Sequence, residues 1–326
     1  MNSRNAIARR QLLAGGAAAL CLPAWAQPAY PDRPVKVIIP NAPGSSVDTI
    51  GRVACMEMAK GLPQPLVMDN RAGAAGALGV ELARMAAPDG YNLLVGSTSA
   101  ITVAPLLQKA VSYQPLRDFD FISLIALLPN VLVCNPALPV QTTAQLIAYC
   151  KGRNGQTNMA SAGIGSVSHL AGAALQSSAG FKSLHVPYKG GSQGVASVVS
   201  GETDWVLTPA PAAMSLVAGG RLRLLGHSMA ASARPLGDTP AIATAVPGFE
   251  FASWIGLMAP KGLPARIAEV LSQSLAQALQ QAQLRQAFEA NGAVPHASTG
   301  EAFRAQVASD IEINRRAIAA AGVQPE

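Results

Sequence analysis

The chain has 326 residues, 50% of them hydrophobic and 13% charged, about half the charge of an average globular domain. Such a chain buries a large core and is not disordered. Its formal net charge of +6 at pH 7 is too mild for a nucleic-acid partner, which calls for a clustered basic face.

Residues 1–26 read as an export signal. Arg4, Arg9 and Arg10 form a basic start, Leu12 to Leu22 is a short apolar stretch, and Ala24-Trp25-Ala26 has the small-x-small form of a cleavage site near Ala26. The apolar stretch is too short to span a bilayer. Arg9-Arg10 before Gln-Leu-Leu has the form of a twin-arginine signal, and ordinary secretion fits the same residues. The bulky Leu20 before Cys21 argues against a lipid anchor. Three of the 24 basic residues and none of the 18 acids precede Gln27, so the remainder carries a net charge of +3. That remainder of about 300 residues is predicted to be periplasmic and suggests roughly two domains. Cys55, Cys134 and Cys150 lie within it without a Cys-x-x-Cys pair. They are expected as small core residues, with a Cys134–Cys150 disulfide left open in an oxidising compartment.

Val35 to Ile39 is a continuous apolar run, as in a strand buried on both faces. A helix is predicted over Ser46 to Lys60, a strand over Leu66 to Met68, a helix over Gly73 to Ala86 and a strand over Tyr91 to Gly96. This alternation is the mark of a parallel α/β layer. Phe119 to Cys134 is long for one strand and reads as a passage into a second domain. A second α/β unit follows: helix Thr142 to Lys151, strand Thr157 to Ala160, helix Ser166 to Ser178 and strand Leu184 to Pro187. Helix Ser192 to Ser200 and strands Asp204 to Leu207 and Leu222 to Gly226 complete it. Phe249 to Met258 is the candidate return crossing. One helix over Leu263 to Asn291 and a last helix opened by the capping box Ser298-Thr-Gly-Glu301 end the chain. The expected division is lobe 1 over 33–125 and 255–326, and lobe 2 over 126–254, with a ligand cleft between them.

Three apolar runs break into a Gly/Ser loop and then a helix: at Asn41 to Asp48, at Ala162 to His169, and at Tyr188 to Gly194. Each sets free backbone N–H groups at a helix start, a seat for a carboxylate or phosphate. In the first, Ser45-Ser46-Val47-Asp48 has capping-box form. Asp48 either only caps the helix, or fixes the loop so that the N–H groups of Gly44 to Ser46 face the cleft, or receives a ligand amine. Ser97-Thr98-Ser99 bonds a ligand oxygen or caps the next segment. His169 is a site residue or a first-turn residue bonded to a carbonyl; His185 reads as structural. No two histidines have metal-ligand spacing, so no metal and no cofactor is expected. Gly190-Gly-Ser192-Gln-Gly194 matches the nucleophile elbow of α/β hydrolases, and Asp204 or Asp238 followed by His296 has the triad order. An esterase using Ser192 is therefore the rival reading. Gly73-Ala-Ala-Gly76-Ala-Leu-Gly79 lacks dinucleotide-loop spacing and reads as close helix–strand packing.

Several motifs occur together in order: Pro40-x-Ala-Pro-Gly-x-x-x-Asp48, Asn70-Arg71-x-Gly73, Pro88-Asp-Gly-Tyr91, Asp118-Phe119, Ser161-Ala-Gly-x-Gly-Ser166-x-x-His169, Val186-Pro-Tyr-Lys-Gly190 and Trp254-x-Gly-Leu-x-Ala-Pro260. With these, nearly the whole exported chain resembles the periplasmic substrate-binding proteins of tripartite tricarboxylate transporters, the Bug family. The resemblance implies a type II periplasmic-binding-protein fold, two α/β lobes around a ligand cleft. It also implies capture of a small carboxylate, largely by backbone N–H groups, and delivery to small and large membrane permease subunits. It does not imply an enzyme. An orphan receptor used for sensing is the third reading, and a monomer is expected. Where the family usually has Phe, Gly-Gly and Thr, this chain has Asn41, Gly44-Ser45 and Asn92; an acid usual near Ala243 is missing, and His227 replaces a small residue.

The expected ligand-binding residues on lobe 1 are Asn41, Gly44, Ser45, Ser46 and Asp48, with Ser97 and Thr98. On lobe 2 they are Ala162, Gly163, Gly165, Ser166 and His169. Tyr188, Gly190 and Asp204 complete the set.

Overall fold

A computed structural model describes residues 30–230, 232, 235–321 and 323–324. The expected export signal and its cleavage point lie outside the described residues. Strands β1 (Val35–Ile39), β2 (Leu66–Asn70) and β3 (Asn92–Ser97) pair in parallel, with β1 in the middle. Helices α1 (Ser46–Ala59) and α2 (Ala77–Arg84) connect them. All of β1 except Lys36 is buried, as its apolar run required.

Strand β4 (Phe119–Cys134) is one continuous strand of 16 residues. Its first part pairs antiparallel with β9 (Ala252–Pro260), from Phe119 opposite Pro260 to Pro129 opposite Ala252. From Asn130 onward it pairs with β7 (Trp205–Pro209) and β8 (Arg223–His227). The handover falls after Pro129, which has no N–H to give a ladder. At Asn130 the backbone is held by Ser228: Ser228 N–H donates to the Asn130 carbonyl at 2.9 Å, and Asn130 N–H donates to Ser228 Oγ at 2.9 Å. The second lobe adds α3 (Thr143–Gly152), β5 (Asn158–Ser161), α4 (Val167–Ala179), β6 (Leu184–Pro187) and α5 (Gly191–Ser200). The strand order is β2-β1-β3-β9-β4-β7-β5-β6, with β8 and the short β10 (Val294–Pro295) also on β4. Helices α6 (Ala265–Ala278), α7 (Ala282–Ala290) and α8 (Gly300–Ala321) return to the first lobe.

Each lobe is a sheet with helices on both faces. In the first, Ile39, Ile50, Leu93, Leu271 and Phe288 fill one side. Leu94, Ile101, Trp254 and Phe303 fill the other. In the second, Leu132, Leu146, Leu175 and Trp205 face Val131, Val195 and Val206 across the sheet. A smaller apolar cluster bridges the lobes: Val103 and Leu107 from the first meet Leu170 of α4, with Ile318 of α8 packed on both.

Two expected helices differ. The single helix over Leu263 to Asn291 is split into α6 and α7, because Gln281 takes an extended conformation (φ −68°, ψ 131°) and becomes the cap of α7. The helix over Gly73 to Ala86 begins only at Ala77. Ala74 and Ala75 have left-handed φ (47° and 51°), and Gly76 follows at φ 100°. The glycines here serve close packing, as their spacing suggested: a Cβ on Gly79 would lie 2.7 Å from Pro40 Cα. The three described cysteines are buried and free, so Cys134 and Cys150 do not pair. No helix among the described residues is long and apolar enough to cross a membrane.

Candidate functional site

The three Gly/Ser loops open helices α1, α4 and α5, and all three starts meet between the lobes. An inner chamber of about 70 Å³ is lined by Ser45 to Val47, Ser97 to Ser99, Ser166 to Ser168, Thr208, Ser253 and Trp254, among others. An outer chamber of about 210 Å³ is lined by Ala42, Pro43, Gly73, Lys189 and Gly190 to Gln193, among others. Asn41, Ser45, Ser99, Ala162, Ser166 and Gly191 line both, so the chambers adjoin. One water needs about 10–15 Å³ on this scale, so the inner chamber takes a few heavy atoms and the outer one the remainder of a small solute. Among the described residues the inner lining holds no charged side chain, and Lys189 is the one charged side chain lining the outer chamber.

The first loop is built around Asp48, which is buried. Its Oδ2 accepts from Gly44 N–H at 2.9 Å; its Oδ1 accepts from Arg52 Nη2 at 2.6 Å and from Asn70 Nδ2 at 2.9 Å. Asn70 Nδ2 also donates to the Asn41 carbonyl at 2.9 Å, and Arg52 Nη2 donates to Asn70 Oδ1 at 2.8 Å. Burial alone would raise the Asp48 pKa, but the bonds from Arg52, Asn70 and Gly44 outweigh it and hold the carboxyl below its usual range. Of the roles expected for Asp48, this is loop fixing: its oxygens are occupied, and it does not line either chamber.

The expectation for the donors themselves needs correction. Gly44 N–H is taken by Asp48, and Ser45 N–H donates to the Ala42 carbonyl at 3.2 Å. The cap consumes Asp48 N–H on Ser45 Oγ at 3.3 Å, and Thr49 N–H reaches the Ser45 carbonyl at 2.8 Å. The first-turn amides left over are that of Ser46, which was expected, and that of Val47, which was not.

The second loop repeats this economy. Ser166 caps α4 by accepting from His169 N–H at 3.2 Å. Gly165 N–H donates to His169 Nδ1 at 3.1 Å, and Gly163 N–H donates to Ser161 Oγ at 3.1 Å. His169 thus secures the loop through a backbone amide rather than a carbonyl. Its ring stacks on His185 with centroids 3.9 Å apart, and His185 Nε2 lies 2.7 Å from Ser161 Oγ. Burial lowers the His169 pKa; burial, and then the charge of His169, push His185 down to about 4. Both rings are therefore neutral near pH 7, which the acceptor role of His169 requires.

The lobes touch across the cleft. Val167 N–H donates to Ser99 Oγ at 3.0 Å, and Ser46 Oγ donates to the Pro209 carbonyl at 3.4 Å. Within the first lobe, Thr98 Oγ1 accepts from Trp254 N–H at 2.9 Å.

Of the expected residues, Asn41, Ser45, Ser46, Ser97, Thr98, Ala162, Ser166 and Gly190 line the two chambers. Gly163 and Tyr188 line a depression beside the mouth. Gly44, Asp48, Gly165 and His169 stand behind the lining. Asp204 lies away from it; its Oδ2 accepts from Asn158 N–H at 2.6 Å and ties β5 to β7. Sequence reading missed Ser168, Thr208 and Ser253, and used Trp254 only as part of a motif. Ser192 is the second residue of α5 and is exposed, and its hydroxyl makes no hydrogen bond to His296 among the described residues. No group of three or more His, Cys, Asp or Glu side chains that would hold a metal occurs among the described residues.

Two α/β lobes joined by crossing strands, with helix starts converging on a cleft poor in charged side chains, define a solute-binding protein of the periplasmic-binding type. The chain belongs to the tripartite tricarboxylate transporter family receptors, whose pattern residues 50–323 match. It is 34% identical over 285 residues to the protein BugT of Bordetella pertussis, covering 87% of each chain. Among solved structures it is similar to R. palustris Rpa4515 with adipate, at TM-score 0.88 and 28% identity, covering 91% of this chain and all of that one (100%). It is also similar to MatC from Rhodopseudomonas palustris with bound malate, at TM-score 0.81 and 27% identity, over 89% of this chain and 100% of that one.

Proposed function

We propose that this protein captures a small organic carboxylate outside the cytoplasm and hands it to a tripartite-type permease with one small and one large membrane subunit. The observation that carries this reading is the meeting of three helix starts at a chamber whose lining, among the described residues, joins hydroxyls and backbone to apolar side chains, without a charged side chain. A helix N-terminus stabilises an anion by about 0.3–1 kcal/mol, and by up to about 2 kcal/mol when partly buried. Several such donors with lobe closure fit micromolar binding, about −8 kcal/mol. The carboxylates named with the two similar structures, adipate and malate, support the same ligand class. Lobe 1 over 33–125 and 255–326 and lobe 2 over 126–254 are the bodies that close, by hinge motion about the crossing strands. Export through residues 1–26 and a monomeric state complete the reading.

A thermal-shift screen of mono-, di- and tricarboxylates, followed by calorimetry, tests it. A true ligand at 100 times its Kd stabilises by about 2.7 kcal/mol. A panel without a stabilising carboxylate overturns the ligand class. Solute uptake that survives deletion of the gene overturns the transport role and leaves a sensing one.

A further inference from the structure

We infer that the first lobe carries a second ligand site, separate from the cleft, for a small amphipathic anion with one carboxylate head on an apolar chain of medium length. The inference does not rest on the carboxylate reading of the cleft. A cavity of about 720 Å³ lies between α8 and the two helical turns Ala104–Leu107 and Pro115–Asp118. It is larger than the two cleft chambers together, shares no described lining residue with them, and has the size of a small-molecule pocket. Its lining is largely apolar: Pro105, Leu106, Val111, Leu116 and Ile311 belong to it, and each is half-buried. Val111, Leu116 and Ile311 pack on the buried core of the lobe, which fixes this surface. The hydroxyls of the lining are spent inside the protein. Ser112 Oγ donates to Glu81 Oε1 at 2.6 Å, Tyr113 Oη donates to the Ala100 carbonyl, and Thr102 Oγ1 donates to the Thr98 carbonyl at 2.8 Å.

The rim carries charge of one sign. Arg117, Arg304 and Arg315 line the cavity, and no acid among the described residues does. Asp118 holds Arg117 through two bonds, at 2.6 and 3.0 Å. Glu312 holds Arg315 through one bond at 2.6 Å, in a pair exposed at both ends and therefore worth little. Arg304 has no carboxylate partner among the described residues; its guanidinium lies 5.9 Å from the centre of the Phe121 ring. A guanidinium without a counter-ion beside a fixed apolar surface is complementary to an anionic head with an apolar tail. Arg304 and Ile311 are two turns apart on one face of α8, about 10 Å along its axis. The head belongs at Arg304, and the chain runs toward Ile311. A bilayer surface suits the cavity less, because the apolar side chains here are recessed, while protruding ones such as Met56 and Met85 lie outside it.

Calorimetry of the purified protein with octanoate, hexanoate and hexanol tests this. Octanoate is expected to bind, and hexanoate to bind about tenfold more weakly for the two methylenes lost. Hexanol is expected to bind about tenfold more weakly again, for want of the charge. Arg304→Gln, at an exposed position, is expected to weaken octanoate binding about tenfold. Leu106→Asp sets an acid on the apolar lining and is expected to abolish it. Thermal unfolding checks both variants; if Leu106→Asp fails to fold, Arg304→Gln and the hexanol comparison carry the test. No octanoate binding at millimolar concentration overturns the inference. Octanoate binding unchanged in Arg304→Gln overturns it too, since the ligand then sits in the cleft or elsewhere. Equal binding of hexanoate and hexanol overturns the anionic head. Cosedimentation with phosphatidylglycerol vesicles that is lost in Arg304→Gln, without octanoate binding, overturns the site in favour of a membrane contact. Neither variant touches the cleft, so failure here leaves the cleft reading intact, and a cleft that takes no carboxylate leaves this site standing.

Discussion

Removing the Asp48 carboxylate tests the architecture of the first loop. Asp48→Ala deletes three hydrogen bonds, from Gly44 N–H, Arg52 and Asn70. Bonds to a charged group are worth about 1.5–3 kcal/mol each, but two partners keep alternatives. Arg52 is about a third exposed and still reaches Asn70 Oδ1, and Asn70 Nδ2 still reaches the Asn41 carbonyl. The uncompensated loss is the Gly44 bond and part of the other two, so the net cost is about 2 kcal/mol. In a chain of this size that is a fall in Tm of roughly 4 °C. The same loop carries Ser46 and Val47, so the preferred carboxylate is expected to bind about tenfold more weakly, a change of about 1.4 kcal/mol. Thermal unfolding and calorimetry on the same preparation read both. Unchanged affinity alongside the lowered Tm would refute the argument that Asp48 shapes the binding loop, and leave it a helix cap only.

Acid should weaken the fold through the stacked histidines. The unfolded chain takes up protons near pH 6.5, whereas folded His185 resists until about pH 4. Stability is therefore complete above pH 6.5 and declines as pH falls through that window; a Tm that is flat between pH 7 and pH 4.5 would count against the pair. Gly256→Ala presses a methyl group into the edge of the Phe303 ring, well inside van der Waals contact, and should cost about 1–3 kcal/mol by overpacking, measured by denaturant titration. Burial pushes the Cys55 thiol up to about 12 and that of Cys134 up to about 11, so a thiol reagent should label neither before unfolding. An activated ester should be turned over no faster by the native protein than by Ser192→Ala; faster native turnover would revive the esterase reading.

What was legible in the sequence was local. The strand Val35–Ile39, the cap at Ser45 and the helix after it need only neighbours within a few residues, and they are where the pattern put them. The family resemblance rests on such local motifs, and it supplied the two-lobed fold. What was illegible depends on distant partners. Gly44 N–H is unavailable because Asp48 turns back on it, held there by Asn70 of another strand. Thr208, Ser253 and Trp254 reach the inner chamber only through the register of β4 with β7 and β9. The stack of His169 on His185 joins a helix to a strand, and no spacing announces it. The break at Gln281 interrupts an otherwise helical apolar period, and only the cap geometry reveals it.

The unbroken course of β4 through both lobes has a mechanical consequence. A hinge made of paired strands bends by twisting its ladder, and no main-chain bond has to rupture for the jaws to part. In the closure proposed above, what changes is chiefly the gap between the two lobes, spanned by small contacts such as Ser99 with Val167. Under the function proposed above, a membrane partner that grips both lobes at once would read occupancy as a length, in the manner of a caliper.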